Sequence, residues 1–248
     1  MSDELTIADV LADPTKNLCN RYYHSEGQLC DDDDTATVLL KENLYFTETD
    51  FIDYIKDQKF TNDNNITVLS LNIANLYSKL SSLKAFLFNI TQTGNKPDIV
   101  VITETHITER INAGYDKDAL THLIQGYQFF HKGRKNRKGG GVGILVSDDI
   151  KSEAAICKKS EGKVRFVEDQ FENIIVRIPD CINCVGRTKK DLIIAAIYRQ
   201  PKDENLDTFL GCMENLIKTI DKPNSELVIA GDMNLNLLNY ETHLPTSK

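Results

Sequence analysis

The chain lacks tryptophan altogether and has only six prolines and six cysteines among its 248 residues. So few cysteines are typical of reduced thiols rather than of a disulfide scaffold. No apolar run approaches the ~20 residues that a membrane-spanning helix needs. The first ten residues, MSDELTIADV, lack the basic and apolar regions of a signal peptide. We therefore expect an intracellular protein, nuclear or cytoplasmic, with no membrane partner.

Negative charge is in excess, but it is unevenly distributed. The net charge is −8. Residues 1–65 carry fifteen acidic against five basic side chains, whereas residues 66–248 carry twenty-two against twenty-four. The acidity thus belongs to the N-terminal segment. The remainder is electrostatically compatible with a polyanion such as DNA.

The N-terminal 65 residues differ from the rest in pattern as well as in charge. Residues 1–40 show no sustained hydrophobic period and include the run DDDD, which predicts disorder. Residues 43–57 have apolar residues near helical spacing and predict one short helix. TNDNN, at 61–65, is rich in turn-forming residues. We therefore expect an acidic, largely disordered segment over 1–65 and a folded domain over 66–248.

From residue 66 onward, apolar runs alternate with helical stripes. The first strand, helix and next strand predict a parallel pair joined by a right-handed crossover. Many strands with few helices predict an α+β protein whose helices pack outside a sheet or a sheet pair. The predicted helices are 76–92 and 208–220, and the predicted strands are 66–72, 98–104, 127–131, 141–146, 171–178, 192–198 and 226–232.

Polar residues stand where several of these apolar strands end. They are Asn72, Glu104, Tyr198, Asp232 and Asn234. A single one of them is as well explained by the capping of a turn, but packing does not account for all five. Asp232 and Asn234 are two residues apart, so an extended chain projects both to the same face.

Phosphodiester hydrolysis is the chemistry that suits these residue types. Mg²⁺ prefers oxygen ligands and needs only one or two protein carboxylates beside water and phosphate. Glu104 would be that ligand, with the Asn72 carbonyl beside it. Asp232 would align or deprotonate a water molecule, which Asn234 would steady. Tyr198 would donate a hydrogen bond to a developing oxyanion.

Five stretches, in this order, resemble the endonuclease domain of non-LTR retrotransposons: SLNIANL, PDIVVITETHI, KGRKNRKGGGVGILV, IYRQP and VIAGDMNLN. That domain belongs to the endonuclease/exonuclease/phosphatase superfamily, like exonuclease III-type abasic endonucleases and deoxyribonuclease I. The resemblance covers residues 66–240. It implies a four-layer α/β sandwich, dependence on Mg²⁺ (or Mn²⁺), nicking of target DNA, and a reverse transcriptase region in the full polypeptide.

The resemblance implies the metal-site and catalytic roles given above for the same five residues. Three positions depart from the commonest family residues without removing a catalytic group: Ala74, His106 and Met233. Family members also carry a later Ser-Asp-His motif, for which this sequence has no match. His243 follows Asn234 too closely, and THLPTSK contains no Asp. We therefore expect a truncated or decayed copy that lacks its last strands, with impaired activity.

The segment KGRKNRKGGG, at 132–141, is strongly basic. We expect it to contact DNA phosphates, which would make binding dependent on salt. A solvated loop whose glycines serve a turn is the alternative. The predicted DNA contacts are Lys132, Arg134, Lys135, Arg137, Lys138 and, after the tyrosine, Arg199.

Three functions remain open from the sequence. The first is a Mg²⁺-dependent endonuclease, and the second is a non-catalytic remnant that binds nucleic acid or is inert. The third is a superfamily phosphatase acting on inositol phosphates or lipids. The lack of tryptophan and the basic loop argue against a role on a flat lipid surface. Metal-dependent nicking of DNA separates the first function from the other two.

Overall fold

The structure is a computed structural model, and the residues it describes are 16–17, 41–42, 48–56, 66–108, 123–135, 138–158, 160, 162–183, 189–202, 206–220 and 224–235. Two compact units divide the chain. One comprises residues 1–50 and 235–248, and the other comprises residues 51–234. In the described part of the chain, no helix has the length and hydropathy needed to cross a membrane.

The N-terminal segment contains one short antiparallel ladder. Strands β1 (Lys16–Asn17) and β2 (Lys41–Glu42) pair over two residues each. The rest of residues 1–47, including the acidic run, lies outside the described residues. Helix α1 (Glu48–Lys56) begins later than the predicted 43–57. Its Ile55 is buried, and the Ile55 carbonyl accepts a 2.6 Å hydrogen bond from Asn95 Nδ2.

The first large sheet has four strands in the order β3-β4-β6-β5. Strands β3 and β4 are parallel, as predicted, and helix α2 connects them. Strand β6 is antiparallel to both β4 and β5. The elements are β3 (Val68–Asn72), α2 (Leu76–Gln92), β4 (Ile99–Thr103), β5 (Tyr127–Lys132) and β6 (Val142–Ser147).

The second large sheet has the order β10-β9-β8-β7. Strands β9 and β10 are parallel, and helix α3 connects them. Strand β8 is antiparallel to both β7 and β9. The two-residue β7 was not predicted, because so short a strand carries no period. The elements are β7 (Ala155–Ile156), β8 (Glu172–Asn183), β9 (Lys189–Tyr198), α3 (Leu206–Ile220) and β10 (Ser225–Asp232).

Three apolar clusters place these elements in four layers. In the first sheet, alternate residues of β4 face opposite sides. Val101 packs in the cluster that also contains Ile194 of the second sheet, whereas Val100 packs in the cluster with Leu83 of α2. On the far side, Phe209 of α3 packs in a third cluster with residues of β8 and β9. The layers α2, sheet, sheet and α3 confirm the predicted four-layer α/β sandwich.

Gly231 allows β10 to lie close to β9. A Cβ atom at this position would be 2.0 Å from the carbonyl oxygen of Ile197, its partner in the ladder. Its φ of 136° is also a conformation that L side chains rarely adopt. The glycine of the GDMN motif is therefore required by strand packing.

We expect Gly231→Ala to lower the free energy of unfolding by at least about 2 kcal/mol, because it adds a clash to backbone strain. Urea denaturation measures this loss. Gly211→Ala in α3 is the matched control, since a Cβ there has no atom within 4 Å. It should stabilise the protein by about 0.5–1 kcal/mol. Equal effects of the two substitutions would contradict this account of Gly231.

Candidate active site

The carboxyl ends of β3, β4 and β10 bring three predicted residues into direct contact. Asn72 Nδ2 donates to Glu104 Oε1 and to Asp232 Oδ2, at 2.8 Å each. The second of these bonds joins residues that are 160 positions apart and belong to different sheets. Asn72 is exposed, and the two carboxylates are partly so, which leaves the group accessible to a ligand.

Tyr198 ends β9 at the same edge. It is the ladder partner of Asp232 and is only 5% exposed, and its hydroxyl lies close enough to the Glu104 carboxylate to interact with it. Burial, and then the charges of Glu104 and Glu172, raise the pKa of the Tyr198 hydroxyl well above its usual value. The hydroxyl therefore stays protonated near neutral pH and acts as a hydrogen-bond donor.

Asn234 contacts the site through its main chain. The extended geometry that would project it to the same face as Asp232 does not persist, because β10 ends at Asp232 and Asn234 has a φ of 48°. Its amide N–H donates to Asp232 Oδ1 at 3.1 Å, which orients that carboxylate. The side-chain Nδ2 donates to the carbonyl oxygen of Arg199 at 2.7 Å. The two oxygens of Asp232 thus have different partners, since Oδ2 contacts Asn72.

The backbone at these strand ends adopts left-handed conformations that cost about 1–3 kcal/mol each in residues other than glycine. The loops are held by main-chain bonds, such as Asn75 N–H to the Glu104 carbonyl and His106 N–H to the Gly140 carbonyl, both 2.8 Å. Such strain is typical of functional sites. The residues concerned are Ala74 (φ 49°), Asn75 (117°), Glu104 (54°), His106 (56°) and Asn234 (48°).

The donor set at this edge fits Mg²⁺. The described residues contain no group of three or more His, Cys, Asp or Glu side chains placed to hold a metal. Two carboxylates and one amide are present instead, and Mg²⁺ is usually held by one or two carboxylates with water and phosphate. Both carboxylates approach one nitrogen atom of Asn72, so a positive centre is favoured between them. Rotation of the amide would present Oδ1 there, in exchange for its 3.1 Å bond from the Ala74 N–H.

The basic residues at the end of β5 and in the loop after it have two different placements. Lys132, Lys135 and Lys138 are exposed, and Lys132 Nζ lies 4.8 Å from the centre of the Phe166 ring. Arg134, in contrast, is buried and forms ion pairs with carboxylates of the protein. Arg137 lies outside the described residues.

Arg134 and Arg199 were both predicted to contact DNA, but they are only 4% and 3% exposed. Arg134 Nε lies 2.6 Å from Glu172, and the Arg199 guanidinium donates to main-chain carbonyls, including that of Met233 at 2.8 Å. This geometry favours an internal role for both arginines. The exposed lysines remain the candidates for contact with DNA.

Glu172 is a residue of this region that the sequence did not single out. It is fully buried, and besides Arg134 it accepts from the Gly141 N–H at 2.6 Å and the Asp169 N–H at 3.0 Å. A Cβ atom on Gly140 would be 2.5 Å from both Arg134 and Glu172, so the glycine run lets the basic loop close over this ion pair. The only indication of Glu172 in the sequence was that an acidic residue precedes the apolar run NIIV.

We expect Arg134→Met to lower the free energy of unfolding by about 3–5 kcal/mol, because it leaves Glu172 buried without its partner. Chemical denaturation measures the change. Lys138→Met removes an exposed charge from the same loop and should stay within about 0.5 kcal/mol. A double Arg134→Met, Glu172→Gln variant should recover part of the loss. If Arg134→Met and Lys138→Met were equally stable, the internal role of Arg134 would be wrong.

No protein-family model and no curated protein matches this chain. Among solved structures, it is similar to NExo, a 3′ phosphatase from Neisseria bound to a product DNA hairpin (15% identity, TM-score 0.44, 69% of this chain and 58% of that one). It is also similar to the endonuclease domain of TRAS1, a telomere-specific non-LTR retrotransposon (14%, 0.43, 69% and 61%). A third is the AP endonuclease LMAP from Leishmania major (17%, 0.48, 71% and 57%). This chain spans about three fifths of the length of these structures.

Proposed function

We propose that this protein hydrolyses phosphodiester bonds in a Mg²⁺-dependent reaction and nicks DNA, as the endonuclease domain of a non-LTR retrotransposon polyprotein. One observation carries the proposal. The Asn72 amide joins the carboxylates of Glu104 and Asp232 across the two sheets, at a point where the Tyr198 hydroxyl also arrives. The motif resemblance supports DNA as the substrate and a reverse transcriptase region as the partner.

Glu104 and Asn72 would hold Mg²⁺, or Mn²⁺. The bound cation supplies charge neutralisation at a phosphoryl oxygen. Asp232 would orient the attacking water and accept its proton, since the Asn234 N–H fixes one carboxylate oxygen and leaves the other toward the site. Tyr198, kept protonated by its raised pKa, would donate to a phosphate oxygen on which negative charge develops.

Plasmid nicking tests this function. We expect nicking in Mg²⁺ and none in EDTA. Glu104→Gln and Asp232→Asn should each lower the rate at least about 10²-fold, because each removes a charge from the reacting centre and keeps the side-chain size. Glu214→Gln in α3 makes the same kind of change at an exposed position and should leave the rate unaltered.

Three outcomes would contradict the proposal, provided that circular dichroism shows a folded sample. Nicking that persists in EDTA or in both site variants would come from another activity. Release of phosphate from soluble phosphomonoesters without nicking would make the protein a phosphatase. A folded protein with neither activity would be a non-catalytic member of the fold.

The basic loop allows a separate test of DNA binding. A triple variant with alanine at Lys132, Lys135 and Lys138 should bind duplex DNA more weakly. The slope of log Kd against log salt should become shallower by up to about 3, because each lysine that contacts a phosphate displaces about one counterion. Fluorescence anisotropy in EDTA measures both quantities.

A second triple variant serves as the control for charge. It replaces three exposed lysines outside the loop by alanine and alters the net charge by the same amount: Lys84, Lys151 and Lys158. Its salt slope should stay close to that of the unaltered protein. Equal slopes in the two triple variants would show that the loop does not contact DNA.

A further inference from the structure

Arg199 directly follows Tyr198, yet its guanidinium faces the protein. The side chain is buried, and all three of its nitrogen atoms donate to main-chain carbonyl oxygens. Nε bonds to Met233 at 2.8 Å, Nη1 to Lys202 at 2.8 Å, and Nη2 to Asn234. The planar fork of an arginine thus spans the segment after β9 and the segment after β10.

The main chain of Arg199 adds two more bonds to the same segment. Its N–H donates to the carbonyl oxygen of Asp232 at 3.0 Å. Its carbonyl oxygen accepts from Asn234 Nδ2 at 2.7 Å. Asp232, Met233 and Asn234 are therefore each bonded to Arg199, which holds this segment from one end to the other.

These bonds fix a conformation that the backbone does not favour by itself. Asn234 has a φ of 48°, a left-handed value that asparagine tolerates better than other residues with a Cβ atom, but that it adopts less readily than a right-handed value. In this conformation its N–H reaches Asp232 Oδ1 at 3.1 Å. The hydrogen bonds between Arg199 and residues 232–234, here called the clamp, thereby set the direction of the Asp232 carboxylate, whose other oxygen contacts Asn72.

Helix α3 supports the clamp from behind. The guanidinium carbon of Arg199 lies 5.7 Å from the centre of the Phe209 ring, in cation–π contact. Phe209 is 1% exposed and packs edge-on against Phe171, so it is a fixed support. A lysine would keep the charge, but a single ammonium cannot match three carbonyls that are spread around a planar fork.

We propose that Arg199 is a positioning residue for the hydrolytic reaction and does not bind DNA. It acts through the backbone of residues 232–234, which it holds so that Asp232 and Asn234 meet the Asn72 amide and the substrate in the productive arrangement. The proposal rests on the proposed function for its kinetic consequence. The clamp itself is independent of that function.

The experiment compares Arg199→Lys with Arg177→Lys. Arg177 Nε is bonded to Asp191, so this control makes the same chemical change in a second arginine held by the protein. It faces Ile193 in the ladder, away from the strand ends that form the site. We would measure kcat and KM for nicking of a duplex oligonucleotide in Mg²⁺, and Kd with its salt slope in EDTA. We would also measure backbone amide exchange by NMR and urea unfolding.

For Arg199→Lys, we expect kcat to fall about 10²-fold, as for reacting groups displaced by about 1 Å. KM, Kd and the salt slope should stay within about twofold, because the positive charge is retained and DNA is not contacted. The amide protons of residues 199 and 234 should exchange at least about tenfold faster once the clamp is lost. Arg177→Lys should leave all these quantities unchanged.

Opposite results would overturn the proposal. A weaker Kd and an altered salt slope with unchanged kcat would make Arg199 a DNA contact. If kcat, Kd and amide exchange are all unchanged in Arg199→Lys, lysine replaces the clamp, and the same quantities are then measured for Arg199→Met, once urea unfolding shows that it folds. The proposal is overturned if Arg199→Met also matches the unaltered protein. If the unaltered protein does not nick DNA, the proposed function fails by itself. Exchange at residues 199 and 234 then decides whether the clamp exists.

Discussion

The apolar layer between the two sheets is the constraint on which the site depends. Val101 of one sheet and Ile194 and Ala196 of the other belong to this layer, and Tyr198 lies at its end. Because the sheets are fixed against each other there, their carboxyl strand ends meet at one edge. The bonds from Asn72 to Glu104 and Asp232 follow from that packing.

The loops at this edge adopt less stable backbone conformations, and these conformations position the residues of the site. Left-handed backbone is unfavourable by itself at Glu104 and less favourable than a right-handed one at Asn234. Neighbouring segments hold both in place, through a main-chain hydrogen bond at Glu104 and through hydrogen bonds that involve side chains at Asn234. A protein selected only for stability would relax such conformations. Their concentration at the strand ends therefore agrees with the chemical argument from the side chains. Both point to the same edge of the fold.

The basic residues show why a cluster of charged residues in a sequence does not tell which of their side chains are exposed. Arg134 and Lys135 are neighbours in the same loop, yet the first is buried against Glu172 and the second is exposed. Arginine is suited to buried ion pairs and to several carbonyls at once, because its guanidinium is planar and has five donors. The lysines lack this ability and stay in solvent. DNA contact is thus a hypothesis for the exposed lysines only. For Arg134 and Arg199, the geometry favours a role in supporting the structure of the protein.

The sequence by itself determined where most strands and helices lie, because long apolar runs and helical stripes are local signals. Its errors were at polar ends: β9 begins at Lys189 and β8 extends to Asn183, since a hairpin ladder continues past the apolar residues. The sequence also determined which polar residues end the strands. Only the tertiary structure decided which of them touch, because the bond between Asn72 and Asp232 spans 160 positions and no local pattern carries that distance. Burial of the arginines was likewise decided by packing, since it depends on partners from other strands.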